Sequence, residues 1–309
     1  MNNFLITGCA GFIGSHVTDR FLTNGHTITG VDKLTYASSL DNINHNINNK
    51  KFKFYHLDIC NTEAIKLICK QYKIDCIINF AAETHVDNSI EGSNAFILSN
   101  IQGVKSLLEV CKDEDIQICH ISTDEVYGPI NIGSFDENSM LSPQNFYSAT
   151  KASAEHLISA YHNTFGVKYL ILRMSNNYGP RQNNEKFIPK IINNINENKQ
   201  IPLYGNGKNV RDWIYVKDSA KIIYNLVNEA AYNHIYNVSV KDEKQNIEVI
   251  NIILNFFNLQ FDERVSFVND RLGHDFRYSI TNDKIIPYIN FEPMSFTQGI
   301  QTIIESKDL

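Results

Sequence analysis

The stretch Phe4-Leu-Ile-Thr-Gly-Cys-Ala-Gly-Phe-Ile-Gly14 joins a short apolar run to three glycines, at positions 8, 11 and 14. The apolar run predicts a first β-strand, and the residues after the glycines predict a helix that extends to about Asn24. Glycines at such a turn let the backbone approach a pyrophosphate, and the start of the helix offers free N–H groups and the positive end of its dipole. The stretch therefore predicts a dinucleotide-binding strand–turn–helix.

An acidic residue, Asp32, ends the second predicted strand at residues 27–31. Glycine spacing alone is weak evidence, but a strand, a glycine turn, a helix and then this carboxylate form a specific pattern. Asp32 is expected to accept hydrogen bonds from an adenosine ribose, which favours NAD over NADP because a 2′-phosphate would meet a negative charge. The adjacent Lys33 weakens that preference. Asp58, after the third predicted strand, is expected to hold the adenine amine.

Apolar segments alternate with helical patterns through the first half of the chain. Strands are predicted at 4–7, 27–31, 52–57, 76–80, 116–121 and 169–172, and helices at 62–72, 93–111 and 146–165. This alternation predicts an α/β fold, a Rossmann-type doubly wound parallel sheet with helices on both faces.

The chain has 309 residues, which is more than one core usually holds, so two lobes are expected. After about residue 173 the alternation loosens and loops become frequent. Residues 1–173 are predicted to form an NAD-binding Rossmann domain, to which 210–240 return. Residues 174–309 are predicted to form mainly a smaller, interleaved α/β lobe that binds the substrate.

Composition excludes several classes of function. The net charge of −6 argues against a nucleic-acid-binding surface, which needs a basic stripe. The six cysteines form no C-x-x-C pair and the ten histidines form no ligand cluster, so no metal site is predicted. The longest apolar stretch, 74–82, is too short to span a membrane. No secretory leader is visible, so a cytoplasmic location is expected.

Two residues four positions apart, Tyr147 and Lys151, lie on one face of the predicted helix 146–165. An ammonium group beside a phenol is expected to lower the phenol's pKa, so that a phenolate can take a hydroxyl proton while hydride leaves for a nicotinamide. A second Tyr-x-x-x-Lys, Tyr204 to Lys208, contains two glycines and is predicted to be a loop. Only the first pair therefore fits catalysis.

Three polar residues, Thr123, Asp124 and Glu125, follow the predicted strand 116–121. A hydroxyl and two carboxyl groups at one strand end suggest an enzyme that both moves a hydride and expels a leaving group. Neighbouring carboxyls can hold different protonation states where their environments separate their pKa values. A plain dehydrogenase would not need both of them.

The chain resembles the nucleoside-diphosphate-glucose 4,6-dehydratases, which are extended short-chain dehydrogenase/reductases, over nearly its whole length. The motifs that carry the resemblance are 8–15, Asp32-Lys-Leu-Thr-Tyr-Ala37, Ala81-Ala-Glu-Thr-His-Val-Asp87, Thr123-Asp-Glu-Val-Tyr-Gly128, Tyr147-Ser-Ala-Thr-Lys151, Arg173-Met-Ser-Asn-Asn-Tyr-Gly-Pro180, Glu185-Lys186, Val210-Arg-Asp-Trp-Ile-Tyr-Val216 and Asp270-Arg-Leu-Gly-His-Asp275. The run at 123–128 is the specific part, since the related 4-epimerases and decarboxylases lack its Asp-Glu pair. Leu272 replaces a proline common in the family, and the segment between Gly128 and Tyr147 is shorter than in many bacterial members.

The resemblance implies a three-step reaction with a recycled NAD. Tyr147, helped by Thr123, removes the C4 hydroxyl proton while C4 gives hydride to NAD. Glu125 then removes the C5 proton and Asp124 protonates the C6 hydroxyl, which leaves as water. Hydride returns to C6 and yields an NDP-4-keto-6-deoxyglucose, a precursor for deoxysugar synthesis. Whether the donor carries thymine or uracil stays open, because one methyl group is worth only about 1–3 kcal/mol in a pocket.

The resemblance also implies the site residues. Those expected to contact NAD are Gly8, Gly11, Ile13, Gly14, Asp32, Lys33, Asp58, Ile59, Ala81, Ala82, Ser99, Tyr147, Lys151 and Asn177. Those expected to line the nucleotide-sugar site are Thr84, Thr123, Asn176, Lys186, Phe187, Arg211, Asn246, Arg271 and His274. The two arginines suit a diphosphate, which guanidinium groups bind in a forked geometry.

A homodimer is expected, because apolar positions on the helices 93–111 and 146–165 exceed what one sheet face needs and the family pairs these helices between subunits. Two alternatives to the dehydratase remain. One is an NDP-sugar 4-epimerase or decarboxylase on the same scaffold, against which the Asp124-Glu125 pair argues. The other is a non-catalytic NAD-binding protein, against which the intact Thr123, Tyr147 and Lys151 argue.

Overall fold

The computed structural model describes residues 2–85, 92–270 and 275–306 of the chain. In the first half the main elements are β1 (Asn3–Thr7), α1 (Phe12–Thr23), β2 (Thr27–Asp32), β3 (Phe52–His56), α2 (Thr62–Tyr72), β4 (Cys76–Asn79), α3 (Gly103–Glu114), β5 (Gln117–Thr123), α4 (Phe146–Phe165) and β6 (Tyr169–Met174). In the second half they are β7 (Asn176–Tyr178), α5 (Phe187–Asn196), β8 (Ile201–Tyr204), β9 (Val210–Tyr215), α6 (Val216–Glu229), β10 (His234–Val238), β11 (Glu243–Gln245), α7 (Asn246–Phe256), α8 (Phe261–Arg264), β12 (Val265–Val268) and α9 (Phe296–Ser306).

A seven-stranded sheet in the order β10-β6-β5-β4-β1-β2-β3 forms the centre of the molecule. Each of its strand pairs is parallel. Successive residues of β1 serve opposite faces of this sheet, since Ile6 packs with Phe21 on one face while Leu5 packs with Leu107 on the other. The strands are apolar on both faces because helices cover both, as in doubly wound folds. The predicted Rossmann-type fold class is confirmed.

The second half of the chain contributes to two places. Strand β10 extends the large sheet beside β6, and α6 packs against α1. Strands β11, β9 and β7 form a smaller sheet, and β12 pairs with β8. A separate apolar core, which contains Tyr178 and Trp213, joins the small sheet to α5, α7 and α9. The division at residue 173 and the return of 210–240 stay predictions.

The predicted helix 93–111 is less regular than its pattern suggested. A short helical turn, Asn94–Phe96, leads into a π-helical segment, Ile97–Gln102, before α3 begins. The buried Asn100 amide donates to the Glu83 carbonyl and to the Thr150 hydroxyl, and it accepts from the Glu83 N–H. Helical π segments often occur at functional sites. Helix α3 then continues to Glu114, beyond the predicted end.

Membrane-spanning helices are absent from residues 2–85, 92–270 and 275–306, where none is long and apolar enough.

Candidate active site

Two adjoining cavities open at the carboxyl ends of the central strands, where ligands of open α/β sheets bind. The Asp32 cavity, ≈ 80 Å³, lies at the ends of β2, β3 and β4. The Tyr147 cavity, ≈ 280 Å³, lies at the ends of β5 and β6, and both cavities border the glycine turn. A larger outer cleft of ≈ 660 Å³ is lined by loops 36–42 and 180–184, and it includes none of the predicted site residues.

The glycine turn between β1 and α1 requires residues without side chains. Gly8 has a φ of 67°, and a Cβ there would lie 2.8 Å from the Ala81 nitrogen. A Cβ on Gly14 would lie 2.2 Å from the Gly8 oxygen. Such close backbone contacts leave a bare main-chain cradle at the start of α1, which fits a dinucleotide pyrophosphate.

Asp32 ties the glycine turn to the following loop. One carboxylate oxygen, Oδ2, accepts from the Ala10 N–H at 3.0 Å, and Oδ1 accepts from the Leu34 N–H at 2.8 Å and from the Ser38 hydroxyl at 3.1 Å. Each carboxylate oxygen can accept two hydrogen bonds. Asp32 can therefore hold the turn and still accept a bond from a ribose hydroxyl, as its predicted role requires.

The positive charge of Lys33 is compensated inside the Asp32 cavity. Its Nζ donates to the Ser99 hydroxyl at 3.0 Å and lies 3.8 Å from Asp58 Oδ2 and 4.0 Å from Glu83 Oε1. Two carboxylates within 4 Å leave little net attraction for the additional phosphate of NADP. The geometry thus agrees with the predicted preference for NAD.

The three polar residues at the end of β5, Thr123, Asp124 and Glu125, lie together at the Tyr147 cavity. Thr123 caps a short 3₁₀ helix, Asp124–Tyr127, with its Oγ1 accepting from the Glu125 N–H at 3.2 Å. The same hydroxyl donates to Asp124 Oδ1 at 3.3 Å. Both carboxyl side chains line the cavity rather than pointing into solvent, so the acid and the base that the sequence predicts are in reach of one ligand.

The Asp124 carboxyl is almost fully buried and its Oδ2 has no hydrogen-bond partner within the described chain. Burial raises its pKa well above the usual range, and the negative charges of Glu125 and Asp212 add to the rise, while Arg211 and the Thr123 hydroxyl oppose it. The raised pKa favours the protonated form of Asp124 more than it would in an exposed carboxyl group. A neutral carboxyl group of this kind is equipped to act as a general acid.

The phenol of Tyr147 shares this cavity and forms a hydrogen bond with the Thr123 side chain. Burial raises the pKa of Tyr147, and the Glu125 and Asp124 carboxyls contribute further, whereas the Thr123 hydrogen bond lowers it. The sequence-based prediction that Lys151 lowers this pKa is therefore wrong for the protein alone. Desolvation and two nearby carboxyls raise this pKa, and Lys151 is not among the groups that shift it.

Lys151 is bound to the sheet. Its Nζ donates to the Ile121 carbonyl at 2.5 Å and lies 3.1 Å from Nε2 of His120. Burial lowers the pKa of Lys151 to about 8, although the charge of Glu155 raises it. The amine is thus held by hydrogen bonds to two residues of β5, and it changes its charge at a pH of about 8.

Each residue predicted to contact NAD lines one of the two cavities. In the Asp32 cavity these are Gly8, Gly11, Asp32, Lys33, Asp58, Ile59, Ala81, Ala82 and Ser99. In the Tyr147 cavity they are Gly8, Gly11, Ile13, Gly14, Ala82, Tyr147, Lys151 and Asn177. The structure therefore brings the whole predicted set together along one continuous edge of the sheet.

The residues predicted to bind the nucleotide sugar are divided. Four of them line the Tyr147 cavity, namely Thr84, Thr123, Asn176 and Lys186. Three others belong to the smaller lobe and line neither cavity, namely Phe187, Arg211 and Asn246. Arg271 and His274 lie outside the described residues. The roles of all of these residues stay predictions.

Arg211 is engaged with its own lobe. Its guanidinium donates to the carbonyls of Val210, Asp275 and Phe276 at 2.7, 2.9 and 3.3 Å, and it lies 4.4 Å from the centre of the Tyr278 ring. The ring of Phe187 stacks on Trp213 at 6.4 Å between centroids.

Sequence reasoning overlooked two residues that hold the catalytic groups. Asn145 caps α4 by accepting from the Ser148 N–H at 2.8 Å, and its Nδ2 donates to Glu125 Oε2 at 3.2 Å. An asparagine directly before the Tyr-x-x-x-Lys helix is a recognisable N-cap signal, but its contact with Glu125 needs the fold. His120 lies within an apolar predicted strand, and nothing in the sequence indicates that it faces Lys151.

Comparisons with known proteins cover nearly the whole chain. The family model described as GDP-mannose 4,6 dehydratase matches residues 5–303. The dTDP-glucose 4,6-dehydratase of Salmonella typhimurium is 38% identical over 97% of this chain and 91% of its own length. That of Haemophilus influenzae is 37% identical over 99% of this chain and 97% of its own.

Solved structures show the same similarity. A dTDP-glucose 4,6-dehydratase from Streptomyces venezuelae, crystallised with NAD, has a TM-score of 0.93 at 35% identity and covers 99% of this chain and 98% of its own. A UDP-glucuronic acid 4-epimerase from Bacillus cereus, with NAD and UDP-glucuronic acid, has a TM-score of 0.90 at 26% identity and covers 97% of this chain and 96% of its own. The scaffold is thus shared by both reaction types.

Proposed function

The chain belongs to the nucleotide-sugar 4,6-dehydratase family, and we propose that it converts dTDP-glucose into dTDP-4-keto-6-deoxyglucose and water with tightly bound NAD. The family model and the relatives confirm the family resemblance that the motifs indicate. One observation carries the proposed reaction: the buried Asp124 carboxyl, whose pKa is raised well above its usual range, lines the same cavity as Glu125 and Tyr147. An acid and a base beside a phenol are what water elimination after an oxidation needs.

The residues that would hold NAD are the glycine turn, the lining of the Asp32 cavity, and Lys151 and Asn177 in the Tyr147 cavity. When bound, NAD supplies an acceptor for hydride from C4 of the sugar and a donor for its return to C6. The protein's contribution is to orient the sugar, to exclude water and to move protons at C4, C5 and C6.

At C4, Tyr147 takes the proton from the sugar hydroxyl. Its hydrogen bond with Thr123 favours the phenolate form, and the amine of Lys151, held on β5, lines the same cavity. Because burial raises the pKa of the free phenol, the ligands themselves must complete its activation. The phenol is therefore expected to become a strong base only in the loaded site.

At C5 and C6, the two carboxyl groups divide the work. The new C4 ketone makes the C5 hydrogen acidic, and Glu125 takes this proton while Asn145 holds its carboxylate at 3.2 Å. Asp124 gives its proton to the C6 hydroxyl, which leaves as water. This division requires opposite protonation states for adjacent carboxyls, which the raised pKa of Asp124 supports.

Mass spectrometry of the product tests the reaction class. Purified holoenzyme incubated with dTDP-glucose is expected to yield a product lighter by one water, whereas an epimerase product would keep the mass of the substrate. Parallel turnover with UDP-glucose separates the two donors. Conversion of neither sugar by NAD-loaded protein would contradict the proposal and favour a non-catalytic binding protein.

The role of Glu125 has its own test. Glu125→Gln is expected to retain C4 oxidation, seen as reduced-cofactor absorbance, and to lose exchange of the C5 hydrogen with deuterated solvent. Glu305→Gln, at an exposed position on α9, serves as the matched control and should exchange like wild type. Undiminished C5 exchange in Glu125→Gln would remove this residue as the base.

We also propose a homodimer. Ile97, Leu98 and Phe165 are 47%, 57% and 56% exposed, and they lie on the helical segments around α3 and α4. These large apolar side chains would be covered if the two segments pair with those of a second copy. Sedimentation at micromolar concentration is expected to give twice the chain mass, and a monomeric mass would contradict the dimer.

A cytoplasmic location is proposed with it. The six cysteines are free thiols, as is usual in a reducing compartment. Thiol titration of protein denatured directly from freshly lysed cells is expected to find all six, and a lower number would contradict this location.

A further inference from the structure

Three polar residues form a ladder across the middle of the large sheet. Thr7 on β1 pairs in register with Asn79 on β4, and Asn79 pairs in register with His120 on β5. Their exposures are 0%, 1% and 0%. Buried polar groups between apolar strands are costly unless they bind one another. The proposed chemistry assigns no task to Asn79 or His120.

The ladder is hydrogen-bonded from end to end and finishes at the catalytic amine. The Thr7 Oγ1 lies 2.6 Å from Asn79 Oδ1, and Asn79 Nδ2 lies 3.0 Å from His120 Nδ1. His120 Nε2 lies 3.1 Å from Lys151 Nζ. At its other end, Thr7 directly precedes Gly8 of the glycine turn. A continuous buried path thus joins the amine to the cofactor cradle.

The hydrogens of this path can be arranged in two ways. A neutral imidazole has one N–H donor and one acceptor nitrogen, and an amide reverses its donor and acceptor when it is rotated. In one arrangement the Lys151 ammonium donates to His120 Nε2, and His120 Nδ1–H donates to the Asn79 oxygen. In the other, Asn79 donates to Nδ1, and Nε2–H donates to the lone pair of a neutral amine.

We propose that Thr7, Asn79 and His120 are positioning residues that hold Lys151 through a hydrogen-bond chain whose direction reverses when the amine gains or loses a proton. The Ile121 carbonyl accepts one N–H of the amine in both states. Lys151 is therefore kept at one point in the cavity whatever its charge. This inference deepens the proposed function and rests on it for its catalytic consequence.

The charged and titratable surroundings favour a ring that stays neutral. Burial and the nearby Lys151 hold the pKa of His120 well below its usual value, so the ring changes tautomer and not charge. Burial lowers the pKa of Lys151 to about 8, and Glu155, one turn further along α4, opposes this. The cavity that Lys151 lines also holds the titratable side chains of Tyr147, Asp124, Glu125 and Lys186.

Nitrogen NMR of ¹⁵N-histidine-labelled, NAD-loaded protein tests the chain without any substrate. The His120 signals, assigned with His120→Gln, are expected to show Nδ1–H below the pH at which Lys151 titrates and Nε2–H above it. In Lys151→Met this change should disappear while the other histidines titrate as before. A ring that keeps the same protonated nitrogen throughout, or becomes charged, would overturn the proposal whether or not dTDP-glucose is the substrate.

Kinetics of two variants test the consequence. His120→Leu removes the acceptor of the ammonium, so Lys151 should lose its proton at lower pH, and lowering its pKa by one unit lowers the ammonium fraction about tenfold at pH values above the original pKa. In a plot of the C4 oxidation rate against pH, the decline at high pH should shift to lower pH, while KM stays unchanged. His120→Gln, which keeps an amide oxygen near the Nε2 position, should reverse most of this shift. Equal losses in both variants, with an unmoved pH profile, would reduce His120 to a packing residue.

Discussion

The edge of the large sheet and the smaller lobe prepare their ligand groups in opposite ways. At the sheet edge, Asp124, Tyr147 and Lys151 line an open cavity and are held from behind by short strand ends and by α4. In the smaller lobe, Arg211 is 8% exposed and its guanidinium is already bound by three carbonyls and a ring. The groups at the sheet edge are positioned around an open cavity, whereas the Arg211 guanidinium is occupied by contacts within its own lobe.

This difference follows from the origin of the two regions. Parallel strands bring the ends of distant chain segments to one line, so polar groups there face a common crevice. The smaller lobe combines short strands with helices α5, α7 and α9, and polar groups such as the Arg211 guanidinium are bound within it. Substitutions should therefore affect catalysis at the sheet edge and stability in the lobe.

The largest effect is expected for Tyr147→Phe. Loss of the general base should lower kcat by about 10⁴, the upper end of the roughly 10²–10⁴ that proton transfer by a positioned group contributes. Bound NAD and the melting temperature should stay as in wild type. Tyr204→Phe, in the second Tyr-x-x-x-Lys at the end of β8, is the matched control and should keep full activity. An equal loss of activity in both variants would contradict the assignment of catalysis to the sheet edge.

A smaller loss, about 10², is expected for Asp124→Asn, because water in the cavity can partly replace the acid at C6. C4 oxidation should persist, so mixing with substrate should accumulate reduced cofactor. In wild type the elimination step should decline as pH rises through the raised pKa of Asp124, because its proton is lost there. Rapid-mixing absorbance across a pH series measures both. A variant that eliminates water at the normal rate would exclude Asp124 as the acid.

Two truncations, Arg211→Met and Lys186→Met, test whether the smaller lobe and the sheet edge differ in this way. Arg211→Met should lower the free energy of unfolding by about 1–3 kcal/mol, because buried carbonyls lose their charged donor. Lys186 lines the Tyr147 cavity, so Lys186→Met should raise KM and leave the free energy of unfolding unchanged. Urea unfolding of NAD-loaded protein and steady-state kinetics separate the two. An Arg211→Met protein of normal stability with a raised KM would place Arg211 with the ligand groups instead.

The smallest effect is expected for Lys33→Met in the Asp32 cavity. Partly exposed ion pairs contribute about 0–1 kcal/mol, so NAD affinity should change only a few-fold. Discrimination against NADP should persist, since Asp32 remains. Calorimetric titration with both cofactors measures this, and tight NADP binding would contradict the account of the cavity.

Much of this site was readable along the chain. The glycine turn, Asp32, the Thr-Asp-Glu triplet and the Tyr-x-x-x-Lys pair each depend on local spacing, and parallel topology then places them at one edge. The irregular segment before α3 was not readable, and the contacts of its Asn100 with Glu83 and Thr150 join residues that are distant in the chain. Nor was the contact between Asn145 and Glu125.

The amino-acid order alone was enough to predict the sheet and the glycine turn and to nominate the side chains for the chemistry, because strand periodicity, turn glycines and residue types are local properties. Proton distribution was not specified. Whether Tyr147 is acidic, whether Asp124 keeps its proton and what Lys151 contacts depend on burial and on charges brought from other strands. Desolvation and Coulomb interaction act through space, so these properties arise when the chain is folded.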